Sequence, residues 1–199
     1  MTQIDMTARA LADLRPRTAA QTRPENVTQA LEALAAMKSA PQVGVLKDRT
    51  VPGRRTALDW LLVGAFGVLV VDEHPVEGDG AVTVRVRASS GSDVPWTVVA
   101  DGHDHPRALS GALTRRGMVL EVLEAAGLAS VEVTAVVCFD RAALPPMRRQ
   151  LRLGDCIVVG LPGLSRLTRT SGKLAATDLP RVLSALEEAF PPAPTAVPA

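Results

Sequence analysis

The spacing of apolar positions changes period several times along this chain. Between Asn26 and Ser39, Val27, Leu31 and Leu34 recur near every 3.6 residues, which predicts a helix capped by Asn26. Val43–Val51 predicts a strand stopped at Pro52-Gly53. Ala57–Val63 and Val68–Glu73 predict two more, joined by the turn Gly64-Ala65-Phe66-Gly67 and ended by Pro75. Two weaker strands, Ala81–Arg87 and Trp96–Ala100, flank the polar loop SSGSD at 89–93. A long helix follows over about Arg107–Ala126 and stops at Gly127. Val131–Phe139 and Asp155–Gly160 predict strands, and helices are expected near Gly163–Leu167 and over Leu179–Phe190. In that last helix Val182, Leu183, Leu186, Ala189 and Phe190 form a stripe suited to core packing. Early strands joined by short turns, then later strands reached through a helix, predict an α/β fold with a mixed sheet.

A chain of 199 residues suits one domain. Residues 25–190 form that domain; residues 1–24 are expected to be loosely ordered, and the tail PPAPTAVPA (191–199) to be disordered. No apolar run reaches the roughly 20 residues of a membrane-spanning helix, so no membrane partner is expected. The N-terminus is polar, without a signal-peptide core. Cys138 and Cys156 sit in apolar segments, which suggests reduced thiols and a cytoplasmic setting. The skew of 19 Arg to 3 Lys, with two Ile, one Asn and no Tyr, suggests coding from a GC-rich, bacterial genome. It also weakens any claim that arginine was selected for its geometry. Net charge is +1, so no global field draws nucleic acid, and any such contact must come from local patches. Five aromatic residues are too few for a single-strand stacking surface.

The stretch LDWLLVGAFGVLVVDEHP (58–75) is apolar from Trp60 to Val71 and acidic at both ends. Folded as a hairpin about Gly64–Gly67, its paired residue numbers sum to 131. Val63 then faces Val68, Leu61 faces Val70 and Asp59 faces Asp72. Directly opposed side chains share a face about 4.5–5.5 Å apart. Strand alternation adds His74 to that face and sends Glu73 to the other. Opposed carboxylates repel unless one is protonated or a cation lies between them, and a divalent ion fits. The same residues also read as ordinary strand ends, and a one-residue slip would exchange Asp72 for Glu73.

That hairpin, Asp59 in the second strand followed by V63-G64-A65-F66-G67-V68-L69-V70-V71-D72-E73-H74 and then Gly78, resembles the NERD (nuclease-related) domain of the PD-(D/E)XK nuclease-like superfamily. The downstream order is similar too, through Arg115-Arg116 on the long helix, VEVTAVVCFD (131–140) and LRLGDCIVVGLPGLSRL (151–167). The resemblance implies a restriction-endonuclease-like mixed sheet flanked by helices. It implies that Asp59 and Asp72 hold Mg²⁺ or Mn²⁺, with Glu32 (or, less well placed, Glu25) completing the site. DNA is the implied partner, and the resemblance would put Arg115 or Arg116 near the metal. Arg54 and Arg55, just upstream of the Asp59 strand, and Arg115 and Arg116 are the candidates for phosphate contact, solvated surface being the default reading of each.

His74 stands where the family has Lys. A lysine is a permanent charge that steadies transition-state charge; a histidine near neutral pH is not, although it can act as general base or metal ligand. The expected activity is therefore weak or lost metal-dependent phosphodiester hydrolysis. The competing expectation is a non-catalytic protein-interaction module on the same fold. A second motif, Asp101-Gly102-His103-Asp104-His105-Pro106, offers an H-x-H pair, but lacks further ligands at a fitting spacing. It reads better as a polar turn into the long helix, and the three histidines could gather only if this loop folded back to His74.

Overall fold

A near-continuous run of Val and Leu between Ala57 and His74 drives the central ribbon, because both faces of these strands are covered. A computed structural model describes residues 29, 43–75, 82–88, 95–100, 102–140, 142–144 and 150–194. Strands β1 (Gly44–Thr50), β2 (Ala57–Gly64) and β3 (Gly67–His74) form an antiparallel meander. The chain then makes β4 (Val82–Ala88), β5 (Trp96–Ala100) and β6 (His103–His105) before helix α1 (Ala108–Ala125). Strand β7 (Val133–Phe139) returns parallel to β3. A two-residue β8 (Ala142–Ala143), the hairpin of β9 (Gln150–Leu153) and β10 (Cys156–Gly160), and helices α2 (Leu161–Leu167) and α3 (Leu179–Ala189) complete the order. The main sheet runs β1-β2-β3-β7-β10-β9, and a smaller one runs β6-β5-β4-β8. This is an α/β fold with a mixed sheet flanked by helices, as the pattern predicts.

One face of the main sheet, carrying Leu61, Val63, Val68 and Val70, packs on Met118, Val119 and Leu123 of α1 and Val182 and Leu186 of α3. Further along the same face, Ala135, Val137, Phe139 and Val158 meet Leu109 and Ala112 of α1 and Val84 and Val98 of the small sheet. The opposite face carries Trp60, Leu62, Leu69, Val71 and Ile157 against Leu161 and Leu164 of α2. Each buried Leu, Val or Phe contributes about 1.5–3 kcal/mol by leaving water. Cys138 packs on this second face and Cys156 on the first, so the two free thiols lie on opposite sides of the sheet.

The chain departs from the sequence expectation at four places. His103–His105 pairs with β5 as a short strand instead of forming a turn. Strands β8 and β9 were not expected. The β9–β10 hairpin turns on Gly154-Asp155, with Gly154 at φ +61°. The first tail residues are engaged: Thr50 donates its backbone N–H to the Pro191 carbonyl at 2.9 Å, and Ala193 donates to Asp48 at 2.7 Å. Proline lacks a donor but keeps its acceptor, so a Pro-rich segment can still cover an edge strand such as β1. Of the helix expected over 26–39 only Gln29 is described, and it is helical. Glu25, Glu32, residues 1–24 and residues 195–199 lie outside the described residues. No described helix is long and apolar enough to cross a membrane.

Candidate functional site

The hairpin register is the one the sequence predicts: Val63 pairs with Val68, Leu61 with Val70 and Trp60 with Val71. One step further along the ribbon stand Asp59 and Asp72. The end of β3 is also the point where the small sheet and the first turn of α1 come over the main sheet. Between them opens a cavity of about 700 Å³. Asp59, Asp72 and His74 line it from β2 and β3, His105 from β6, and Gly111 and Arg115 from α1.

The carboxylates are held in different ways. Asp59 Oδ2 accepts the backbone N–H of Glu73 at 3.0 Å, which ties the two strand ends together. Asp72 is only 2% exposed. Its Oδ2 accepts from Arg115 Nη1 at 2.6 Å, while its Oδ1 is buried with no hydrogen-bond partner among the described residues. Burial drives the Asp72 pKa up to about 7; the Arg115 guanidinium pulls it down, and the nearby Asp59 carboxylate adds to the rise. Arg115 also donates Nε to the Ala57 carbonyl at 2.9 Å, so one guanidinium joins the start of β2 to the end of β3. Glu73, on the other face, accepts from Trp60 Nε1 at 3.1 Å, and Lys47 lies 4.9 Å from the Trp60 ring centroid.

His74 stacks on Phe139 with ring centroids 5.2 Å apart, its register partner across β3 and β7. The loop after β5 does fold back: His105 meets His74 edge-on at 5.9 Å and also contacts Phe139. His103 stays exposed and does not line the cavity. The His74 pKa is lowered, chiefly by burial and next by His105, with Asp59 opposing and Arg115 reinforcing. A neutral imidazole is therefore the resting form near pH 7, unlike the ammonium of a lysine.

The four arginines expected at phosphate separate. Arg115 enters the cavity. Arg116 does not: it donates Nε to the Val133 carbonyl at 2.8 Å and pairs with Asp155 at 3.3 Å. Arg54 and Arg55 are exposed in the turn that leads to Thr56, which lines the cavity. Arg107, not singled out from the sequence, is exposed at the N-cap of α1 and lines the cavity too. Its signal was its position, the first residue of the helix that the pattern predicts over about Arg107–Ala126. Asp104 is taken up by Arg87.

Would this donor set suit the divalent ion implied by the hairpin? The unpartnered Asp72 Oδ1, beside Asp59, is the kind of acceptor a hard ion uses, and Mg²⁺ needs only one or two carboxylates plus waters. Against strong binding, no group of three His, Cys, Asp or Glu among the described residues could hold a metal ion. The Arg115 guanidinium already supplies one positive charge to Asp72. The site thus offers a hard ion two carboxylates, one of them already paired with a guanidinium. Comparison of the chain with family models, with curated proteins and with solved structures returns no match.

Proposed function

We propose that this chain is a nuclease-related, NERD-like protein that binds DNA and whose metal-dependent phosphodiester hydrolysis is weak or lost. The observation that carries this reading is the hairpin register, which sends Asp59 and Asp72 into one cavity that the exposed Arg107 also lines and that the turn carrying the exposed Arg54 and Arg55 reaches through Thr56. An acidic floor with basic residues around it suits a phosphodiester, since the floor would take the ion and the arginines the phosphate oxygens. Bound Mg²⁺ or Mn²⁺ would supply a polarised water and neutralise developing charge. Asp59 and Asp72 would hold the ion. His74, uncharged and packed on Phe139, offers no permanent charge in the lysine's place, which supports weak or absent turnover. The reading includes a cytoplasmic, bacterial setting, in keeping with two buried free thiols.

The test combines three measurements on wild type and Asp72→Ala: calorimetric titration with Mn²⁺ and Mg²⁺, nicking of supercoiled plasmid, and anisotropy of a labelled DNA duplex. Expected are duplex binding that falls steeply between 50 and 200 mM salt, ion uptake lost with Asp72→Ala, and little nicking. A wild type that ignores DNA at low salt and matches Asp72→Ala towards both ions would sink the proposal. The second reading, a non-catalytic protein-interaction module on a nuclease-like fold, would then stand. Its specific support is Arg115 seated on Asp72.

A further inference from the structure

Arginines on helices next to sheets are common, but Arg115 is unusually well provided for. Its guanidinium crosses back along α1 over Gly111, one helical turn earlier. A Cβ at position 111 would stand 3.0 Å from Arg115 Nη1 and 3.9 Å from Asp72 Oδ2. The missing Cβ leaves room for the guanidinium to lie over this turn of the helix on its way to the acid. The contact it makes there is incomplete. Buried acceptors are nearly always hydrogen-bonded, yet Asp72 Oδ1 has no partner among the described residues. The neighbouring Arg116 shows the alternative, with its donors spent on the Val133 carbonyl and Asp155. A cation arriving on Asp72 Oδ1 would lie beside a positive charge already bonded to the other oxygen of the same carboxylate. Like charges at that range oppose one another strongly in a partly desolvated site.

We propose that Arg115 is the resident counter-cation of the acidic pair and competes with a divalent ion for Asp72. The inference rests on the reading of Asp59 and Asp72 as ion-holding carboxylates and adds a regulator to it. With the guanidinium in place the protein tolerates two close carboxylates without metal. Divalent affinity is kept low until Arg115 is drawn off Asp72, and phosphate oxygens are the ligands that would draw it off.

The test is Mn²⁺ binding, followed by calorimetry and by loss of the free-ion paramagnetic resonance signal, on wild type, Arg115→Gln, Gly111→Val and the double variant Arg115→Gln with Asp72→Asn. Glutamine retains a donor for the Ala57 carbonyl and removes the charge; valine at 111 fills the space the guanidinium crosses. Arg115→Gln is expected to bind Mn²⁺ at least tenfold more tightly than wild type, and Gly111→Val to move the same way by less. The double variant should lose the gain. Saturating Mn²⁺ should raise the melting temperature of Arg115→Gln more than that of wild type. Equal Mn²⁺ affinity in wild type and Arg115→Gln overturns the counter-cation role and leaves the ion-holding reading intact. No Mn²⁺ binding by any of the proteins overturns both. Should Arg115→Gln fail to fold, equal affinity in Gly111→Val and wild type overturns the proposal.

Discussion

Asp72 and Glu73 are adjacent in the chain and leave β3 on opposite faces, and the two sides of the sheet treat their carboxylates differently. On the α2 side, Glu73 accepts from Trp60 Nε1, and Lys47 sits over the same indole, so acid, ring and ammonium form a row across β3, β2 and β1. Glu73 is half-buried, so water reaches what the row leaves open. On the α1 side, Asp72 is buried, paired through one oxygen and unpaired through the other. Acids on a strand end do not announce which kind they are. What separates them is whether their surroundings finish the job of replacing water. The Glu73 carboxylate is bonded to Trp60, while Asp72, which lines the cavity, keeps a buried oxygen without a hydrogen bond among the described residues.

The largest effect that could break this contrast is on the partner of Asp72. Replacing Arg115 by Met, which keeps the packing length and removes the charge, leaves a carboxylate nine-tenths buried without its cation. Breaking a buried pair from one side typically costs about 3–5 kcal/mol. Because Arg115 holds the Asp72 pKa down, its removal sends that pKa further up, and the acid escapes the penalty by taking a proton. Urea denaturation should therefore show Arg115→Met destabilised by about 3 kcal/mol at pH 8, with about 1.4 kcal/mol of that loss absent at pH 5, where Asp72 is already protonated beside Arg115. A loss of the same size at both pH values would mean that Arg115 acts through packing and its bond to Ala57, not through the charge on Asp72.

A smaller effect comes from titration in the intact site. The folded pKa of Asp72 is raised to about 7 from the ordinary 3.8. Between those values the folded protein holds a proton that the unfolded chain releases. The stabilisation is full below about pH 4 and is lost as pH rises through 7, at no more than about 1.4 kcal/mol per pH unit. His74 has the opposite sign. Its lowered pKa makes the folded protein shed a proton that the unfolded chain keeps, so its contribution improves as pH rises towards 6.5. Asp59, Arg115 and Cys156 also face Asp72, and Arg115 is the one that moderates the rise. Asp72→Asn should remove the falling component and leave stability rising or flat from pH 5 to 7.5. Persistence of the wild-type fall in Asp72→Asn would assign it to another group.

Much of this was legible before any coordinates. The hairpin could be read because its apolar run is long, continuous and folded about a turn with a glycine at each end, so the register follows by counting. Strand β9 is legible too: Gly154-Asp155 is a two-residue turn signal between Gln150–Leu153 and the strand expected over Asp155–Gly160. Strand β6 was not legible: His103-Asp104-His105 has no apolar alternation, and it is extended because β5 pairs with it and Arg87 holds Asp104. The choice between Arg115 and Arg116 needed the phase of α1, as successive residues point about 100° apart around a helix. Gly111, one turn before Arg115, was the clue in the sequence. Glu32 falls outside the described residues, so the third carboxylate stays an expectation from resemblance alone.

The smallest expected effect tests the other side of the comparison. Glu73→Gln keeps the length of the side chain and an acceptor for Trp60 Nε1 while removing the charge. If Glu73 serves structure only, the change weakens one partly buried hydrogen bond from charge-assisted to neutral, about 1 kcal/mol or less by urea denaturation. Mn²⁺ affinity should stay within about twofold of wild type, because Glu73 reaches the site through its backbone N–H to Asp59, and glutamine preserves that group. Paired with Asp72→Asn, which should abolish Mn²⁺ uptake, this gives two isosteric substitutions at neighbouring positions with opposite profiles. Were Glu73→Gln also to abolish uptake, the division between the faces would fail. The ion would then belong to a carboxylate set that wraps the end of β3, with Trp60 as its hydrogen-bonded support.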